Sequence, residues 1–495
     1  MHDIPRGVTS RYLREQRVPR GFFQDPERIL TRDDLHYDPA NPGAKILVGA
    51  LGAYMIGIED NRHLLTVAGN RSGKSVTVIN NLYFYLGSVL CTDPKAELAT
   101  KTAHIRHKRG QKVFVLDPFK RARGKAVRFR ARYNPLARLK PDNPYPVEDA
   151  MLIVDALVVR SGEEKDPHWN EAAGQFLLGL ILYVAYTPDI DPKDRTLVTV
   201  RKLIMRALDT SGERYTVPTM IFAAGRKIEK SGLNDVADAI AGSITGFYDK
   251  SATERAGVLS SLNRHTQFID YGAMKEVLRG HDFDLEDLKR EKVSVYLCLP
   301  ATRMGMCNRW LRLFVNQLLQ AMETEETVPP APVLVCLDEF PVLGFMSQLQ
   351  DAAGQIASFH VKLWIILQDW GQGKALYKDR FESFAANAGI LQAFGNVDLT
   401  TTEYLSKRLD KTAVETTRTG ETAAEQVQKG LKGENNSIEL FDLMRPDEIS
   451  RFFARNDNHK RQLILWAGKA PMILQRVEYY DAEGPFHHYF KDATA

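Results

Sequence analysis

An α/β fold, with a mostly parallel sheet wound by helices and interrupted by an all-α insertion, is predicted by three features of this sequence. The first is Ala68-Gly69-Asn70-Arg71-Ser72-Gly73-Lys74-Ser75, lying between an apolar run at Leu64 to Ala68 and a second, Val76 to Leu86, that continues as a helix. The second is Val333-Leu334-Val335-Cys336-Leu337, an apolar run ending in Asp338-Glu339. The third is a change of rhythm. Strand-like and helix-like runs alternate over residues 44–139, helical spacing alone fills 140–291, and strand-like runs resume in 292–495. Alternating strands and helices are the pattern of a parallel sheet covered on both faces.

In chain order, residues 1–43 read as an irregular arm with several prolines. Its start carries Arg6, Arg11, Arg14, Arg17 and Arg20 against Asp3 and Glu15. Such an arm is either a solvated terminus or a contact for a neighbouring subunit, anionic lipid or nucleic acid.

Residues 44–139 begin a nucleotide-binding domain. Ile46 to Ile58 reads as a strand pair, and residues 68–75 fit the phosphate-binding pattern G-x-x-x-x-G-K-[ST] with Ala68 in place of its first glycine. In the strand-loop-helix context, backbone N–H groups of Gly69, Asn70, Arg71, Ser72 and Gly73 turn towards phosphate oxygens, and the helix N-terminus adds partial positive charge. Lys74 then reaches the terminal phosphates and the Ser75 hydroxyl holds magnesium. Ser88 to Thr92 and Lys112 to Asp117 read as the next strands, with a helix between them ending near Lys108. Residues 101–132 concentrate positive charge, including Arg106, Arg121, Arg123, Lys125 and Arg130, with Asp117 as the sole acid. Arg121, Arg123 and Lys125 are candidate DNA contacts in an anionic channel; a solvated basic face is the alternative.

The insertion at 140–291 is apolar at helical spacing in runs such as Val147 to Val158 and Trp169 to Tyr186, with no strand alternation. Residues 292–495 return to the sheet. After the strand Lys292 to Leu299 and a helix over Asn308 to Met322 comes the acid-ended strand, where Asp338 orders Mg2+ and Glu339 polarises the attacking water. Leu363 to Leu367 ends in Gln368, a polar group placed to sense the terminal phosphate as in RecA-like motors, or else a turn residue. Lys74, Glu339 and Gln368 are the candidate catalytic residues, and the domain reads as a RecA-like P-loop fold.

A chain of 495 residues is long enough for two or three domains and needs neither disulfides nor metal to hold its core. Cys91, Cys298, Cys307 and Cys336 show no paired spacing and read as buried thiols of a reducing compartment. A net charge of +4 neither demands nor excludes nucleic acid. No secretory signal is visible, and Ile46 to Ile58, broken by Gly49, Gly52 and Gly57, is too short to span a bilayer, so the chain is expected to be soluble.

With these parts in place the chain resembles the coupling ATPases of type IV secretion and conjugation, the TraG/TraD class. The residues that carry the resemblance are His63 to Lys74, Asp93-Pro94-Lys95-Ala96-Glu97-Leu98, Asp117-Pro118-Phe119, Tyr133-Asn134-Pro135-Leu136, Asp338-Glu339-Phe340, Leu343-Gly344, Gln368, Phe394-Gly395 and the late segment Leu443 to Tyr480. The resemblance implies ATP and Mg2+ as cofactors and a ring, usually a hexamer, with ATP between subunits. It also implies transfer of single-stranded DNA, with its relaxase, towards the inner-membrane components of a secretion channel. A coupling ATPase that recruits protein effectors and a nucleotide-dependent assembly scaffold are the alternatives. The chain departs from the family in two ways. No N-terminal transmembrane anchor is visible, which points to a peripheral protein on the cytoplasmic face of a bacterial inner membrane, with any anchor in a separate subunit. Gln355 to His360, where some members carry a trans-acting arginine, has none, leaving Arg71, Arg408 and Arg418 as candidates.

Overall fold

The computed structural model describes residues 22–158, 167–208, 216–419 and 434–491. The basic start of the arm lies outside them. The remainder of the arm is more ordered than expected: a short helix, Pro26–Leu30, buries Ile29, and Leu35 and Tyr37 are also buried. The reason is close backbone contact, since Gly57 N donates to Leu35 O at 2.8 Å and Tyr37 N to Met55 O at 3.1 Å. A single bridge is too short to show as periodicity.

The central sheet has eleven strands. In chain order these begin with β1 (Ile46–Leu51), β2 (Tyr54–Ile58) and β3 (His63–Ala68), followed by helix α1 (Lys74–Phe84). Next come β4 (Val89–Thr92), α2 (Glu97–Lys108) and β5 (Lys112–Leu116). The helical segment contributes α3 (Pro146–Leu157), α4 (Pro167–Tyr186), α5 (Leu197–Leu208), α6 (Thr216–Lys230), α7 (Asn234–Tyr248) and α8 (Ala252–Thr266), with shorter turns between and after them. The sheet resumes with β6 (Val293–Leu297), α9 (Ala301–Thr324), β7 (Val333–Leu337), β8 (Val361–Leu367) and β9 (Ala388–Phe394). Helix α10 (Leu399–Leu409), a separate hairpin of β10 (Lys411–Thr419) with β11 (Glu434–Asp442), and then β12 (Arg461–Trp466) and β13 (Met472–Gln475) complete the order.

Across the sheet the strands run β2-β1-β13-β12-β9-β3-β8-β7-β4-β6-β5. From β9 to β5 every neighbouring pair is parallel, and from β9 to β2 every pair is antiparallel. Every residue of β3, β7, β8 and β9 is buried, as expected of strands covered on both faces, and the two apolar clusters of the core lie on opposite faces. The β1–β2 pair was read from sequence, but strands β9 and β12, and the joining of that pair to the sheet through β13, were not foreseen. The apolar run of β9 follows closely on two short helices, and nothing local to it names β3 and β12 as its partners.

Strands β5 and β6 pair directly, Lys112 opposite Val293, so the helical segment leaves and re-enters the sheet at one place. Its centre is the second half of α4, from Phe176 to Tyr186, buried on all sides, with Phe176 stacked on Phe247 of α7 at 4.0 Å between centroids. One continuous apolar cluster joins these helices to the face of the sheet through α9, so the insertion has no separate core. Helix α9 begins at Ala301, seven residues earlier than its apolar pattern suggests, with Pro300 at its N-cap shortly after β6 ends at Leu297. No helix of the described residues is long and apolar enough to cross a membrane.

Candidate nucleotide site

In a parallel sheet the segments that follow the strands all emerge at one edge, where open α/β sheets bind ligands. The loops after β3, β4 and β7 meet there. They line a cleft of 510 Å³ formed by Asn70, Arg71, Ser72, Gly73, Lys74, Ser75 and Val76 together with Lys95, Glu97, Asp338 and Glu339; Arg455, Asn456, Glu478 and Tyr480 complete its lining.

The P-loop has the backbone its sequence requires. Gly73 takes φ 103° at the N-cap of α1 and Arg71 takes φ 57°. Gly69 lies beneath the loop, where a Cβ would meet Gly395 O at 2.0 Å; Gly395, at φ +66°, has Ser72 Cβ 2.6 Å from where its own would stand. The loop is thus seated on the turn after β9, with Gly69 N donating to Phe394 O at 3.2 Å. Arg476, just beyond β13, donates from Nη1 to Ser72 O at 3.0 Å and from Nη2 to Arg455 O at 3.1 Å, joining the loop to that part of the lining.

Lys74 is folded back on the loop, its Nζ donating to Ala68 O at 2.7 Å and Gly69 O at 3.1 Å, and burial lowers its pKa against the opposing pull of Glu339 and Asp338. Burial and the neighbouring Glu339 push Asp338 up to about 6. Glu339 takes the left-handed backbone, φ 55° and ψ 46°, which turns it off the strand line. Gln368 Nε2 donates to both Glu339 carboxylate oxygens, each at 3.1 Å.

The donors fit ATP with Mg2+. First-turn N–H groups of an α-helix lack intrahelical acceptors, and the Lys74 contacts to carbonyl oxygens are ones that phosphate oxygens can replace. Among the described residues no group of three or more His, Cys, Asp or Glu could hold a metal. Mg2+ keeps several waters and takes few protein ligands, and the Ser75 hydroxyl and the Asp338 carboxylate are the residues of this cleft that could hold it.

Not every candidate converges here. Arg121, Arg123 and Lys125 are exposed on the segment after β5, the far edge of the parallel strands, roughly 24 Å across the sheet from β3 at about 4.8 Å per strand. Arg106, counted with them in sequence, is 1% exposed and faces the core, not a channel. It donates to the carbonyls of Leu82, Tyr85 and Gly87, to Ser294 Oγ and to Gln111 Oε1, all at 2.6–2.9 Å. Arg130 and Arg132 are held by Asp117 and Asp282. Arg408 sets its guanidinium 6.0 Å from the Tyr404 ring on α10, and the Arg418 side chain lies outside the described residues. Lys95, Arg455, Asn456, Tyr480 and Arg476 are cleft or loop residues to which the sequence assigned no role. Asp93-Pro94-Lys95 and Tyr479-Tyr480 stood out only as family segments.

Strand order, P-loop and acid pair define the class as a RecA-like P-loop ATPase, with the acid-ended strand β7 separated from the P-loop strand β3 by β8, which runs into Gln368. Residues 27–494 match the family described as type IV secretory system conjugative DNA transfer. The chain is 24% identical over 469 residues to the type IV secretion system-coupling protein VirD4 of Bartonella henselae, covering 91% of this chain and 68% of that protein. It is 26% identical over 447 residues to the conjugal transfer protein TraG of Escherichia coli, covering 87% and 67%. It therefore spans about two thirds of the length of these relatives. Among solved structures, the bacterial conjugative coupling protein TrwBdeltaN70 in complex with sulphate superimposes with TM-score 0.63 at 14% identity, over 92% of this chain and 93% of that one. TrwB with a non-hydrolysable ATP analogue does so with TM-score 0.59, again at 14%, over 87% and 89%. The chain belongs to the type IV secretory system conjugative DNA transfer family.

Proposed function

We propose that this chain is the ATP-driven coupling protein of a type IV secretion or conjugation system, binding single-stranded DNA with its relaxase and driving it towards the secretion channel. The observation that carries the reading is the meeting of Lys74, Ser75, Asp338 and Glu339 in one cleft, with Gln368 on Glu339, in a chain of this family. Lys74 and the loop N–H groups hold the phosphates, Ser75 and Asp338 hold Mg2+, and Glu339 orients the attacking water. Bound Mg2+ supplies charge neutralisation at the phosphates. Chains act as a homo-oligomer, a hexameric ring in keeping with the family. The ring docks at the inner-membrane face against components of the secretion system, a separate anchor subunit among them where one is present.

The test is ATPase rate of the purified chain with and without single-stranded DNA at two salt concentrations, with Glu339→Gln as blank. Stimulation that fades with salt is expected. Hydrolysis indifferent to DNA would shift the reading to delivery of protein effectors, and absence of hydrolysis to a nucleotide-dependent scaffold.

A further inference from the structure

We propose that Lys95 is a second phosphate-binding cation of the nucleotide site, placed from the same chain against the terminal phosphoryl group in the cleft it shares with Lys74. The inference rests on the nucleoside-triphosphatase reading of the cleft and adds to it a second lysine of the same chain.

The placement is built into the sheet. Strands β4 and β7 are parallel neighbours with Thr92 opposite Leu337, so Asp93 is level with Asp338 and Lys95 emerges just beyond, at the cleft edge. Thr92 Oγ1 donates to Asp338 O at 2.7 Å and ties the two strand ends together.

The turn that carries Lys95 is rigid. The Asp93 carboxylate is buried and caps α2, accepting from Glu97 N at 3.0 Å and Ala99 N at 2.8 Å. Ala96 N closes the turn on Asp93 O at 3.1 Å, and Ala96 takes the left-handed conformation, φ 54°, which a residue with a Cβ adopts only when its surroundings hold it there. A turn held this tightly fixes the root of the side chain.

The Lys95 side chain is exposed and lines the same cleft as Lys74, Asp338 and Glu339, and no ion pair among the described residues engages it. A flexible four-carbon stem on a fixed turn suits a cation that closes on a phosphoryl group after binding. Preorganised charge at a transferring phosphoryl group acts mainly in the transition state.

The experiment compares Lys95→Ala and Lys95→Arg with the parent chain. Fluorescent ADP and ATP are titrated in the Glu339→Gln background, and turnover is measured with Glu339 intact. Lys95→Ala is expected to lower turnover by about 10²–10³, the cost of removing one preorganised donor. It is expected to weaken ATP by about tenfold while ADP, which lacks the terminal phosphate, changes by less than about twofold. Lys95→Arg should stay within about tenfold of the parent in turnover, since charge is kept and geometry altered. Turnover of Lys95→Ala within about threefold of the parent, or equal losses for ADP and ATP, would overturn the assignment. Failure of the parent chain to bind ATP would overturn the nucleotide reading and the assignment with it, an outcome visible in the first titration.

Discussion

Gln368 holds Glu339 by both carboxylate oxygens, each 3.1 Å from its Nε2. The two residues follow neighbouring parallel strands, β8 and β7, and the contact fixes the Glu339 side chain, which in the proposed function orients the attacking water. Replacing Gln368 by Ala is expected to lower ATPase turnover by about 10–10²-fold with ATP affinity nearly unchanged, because an orienting contact acts on the chemical step. Steady-state rates and nucleotide titration check this. A mutant that binds ATP poorly but turns over normally would contradict it.

The Asp338 carboxyl is pushed up to about 6 from an ordinary 3.8, by burial and then by Glu339. An acid raised in the folded state holds a proton that the unfolded chain has released, so stability falls as pH rises between these values. The loss is complete above about pH 6 and is on the order of 3 kcal/mol. In Mg2+-free buffer Asp338→Asn is therefore expected to raise the melting temperature at pH 8 and to leave it near the parent's at pH 4, while abolishing hydrolysis. Equal shifts at both pH values would rule out this origin. In the intact chain, protons compete with Mg2+ below about pH 6, and ATPase activity should fall there.

The P-loop rests on residues far away in sequence. Arg476→Ala removes the donor to Ser72 O and is expected to weaken ATP binding by about tenfold, roughly one hydrogen bond from a charged group. Gly395→Ala forces a Cβ to within 2.6 Å of Ser72 Cβ at φ +66° and should weaken ATP binding further, with loss of thermal stability. Calorimetric titration and thermal melts separate the two effects. Parent-like affinity in Gly395→Ala would mean that the loop adapts.

The basic stretch divides into structural and exposed cations. Arg106→Ala leaves buried carbonyls of Leu82, Tyr85 and Gly87 without their donor and is expected to cost at least about 3 kcal/mol, read as a large drop in melting temperature. Neutralising Arg121, Arg123 and Lys125 together should leave the fold intact. If these residues track phosphates, the slope of log affinity for single-stranded DNA against log salt drops by about 2, at roughly 0.7 per contact. An unchanged slope would return this segment to a solvated face.

The P-loop, the acid pair and the parallel rhythm were legible because their physics is local. A glycine needed at positive φ, a lysine and a serine on one helix turn, and strands buried on both faces leave marks within a few residues. The strand containing Gln368 was legible for the same reason, but its contact with Glu339 was not. Arg106 was misread because composition counts charge and does not register which carbonyls surround it.

By itself the sequence determined most of the parallel strands of a nucleotide-binding sheet and which side chains can do phosphate chemistry, since periodicity and short motifs encode both. Only the tertiary structure decided that Gly395 and Arg476 seat the P-loop, that β9 joins the parallel and antiparallel halves, and that Lys95 lines the same cleft as Lys74. These relations join segments up to several hundred residues apart, and strand pairing and packing bring them together where no local pattern records the partner.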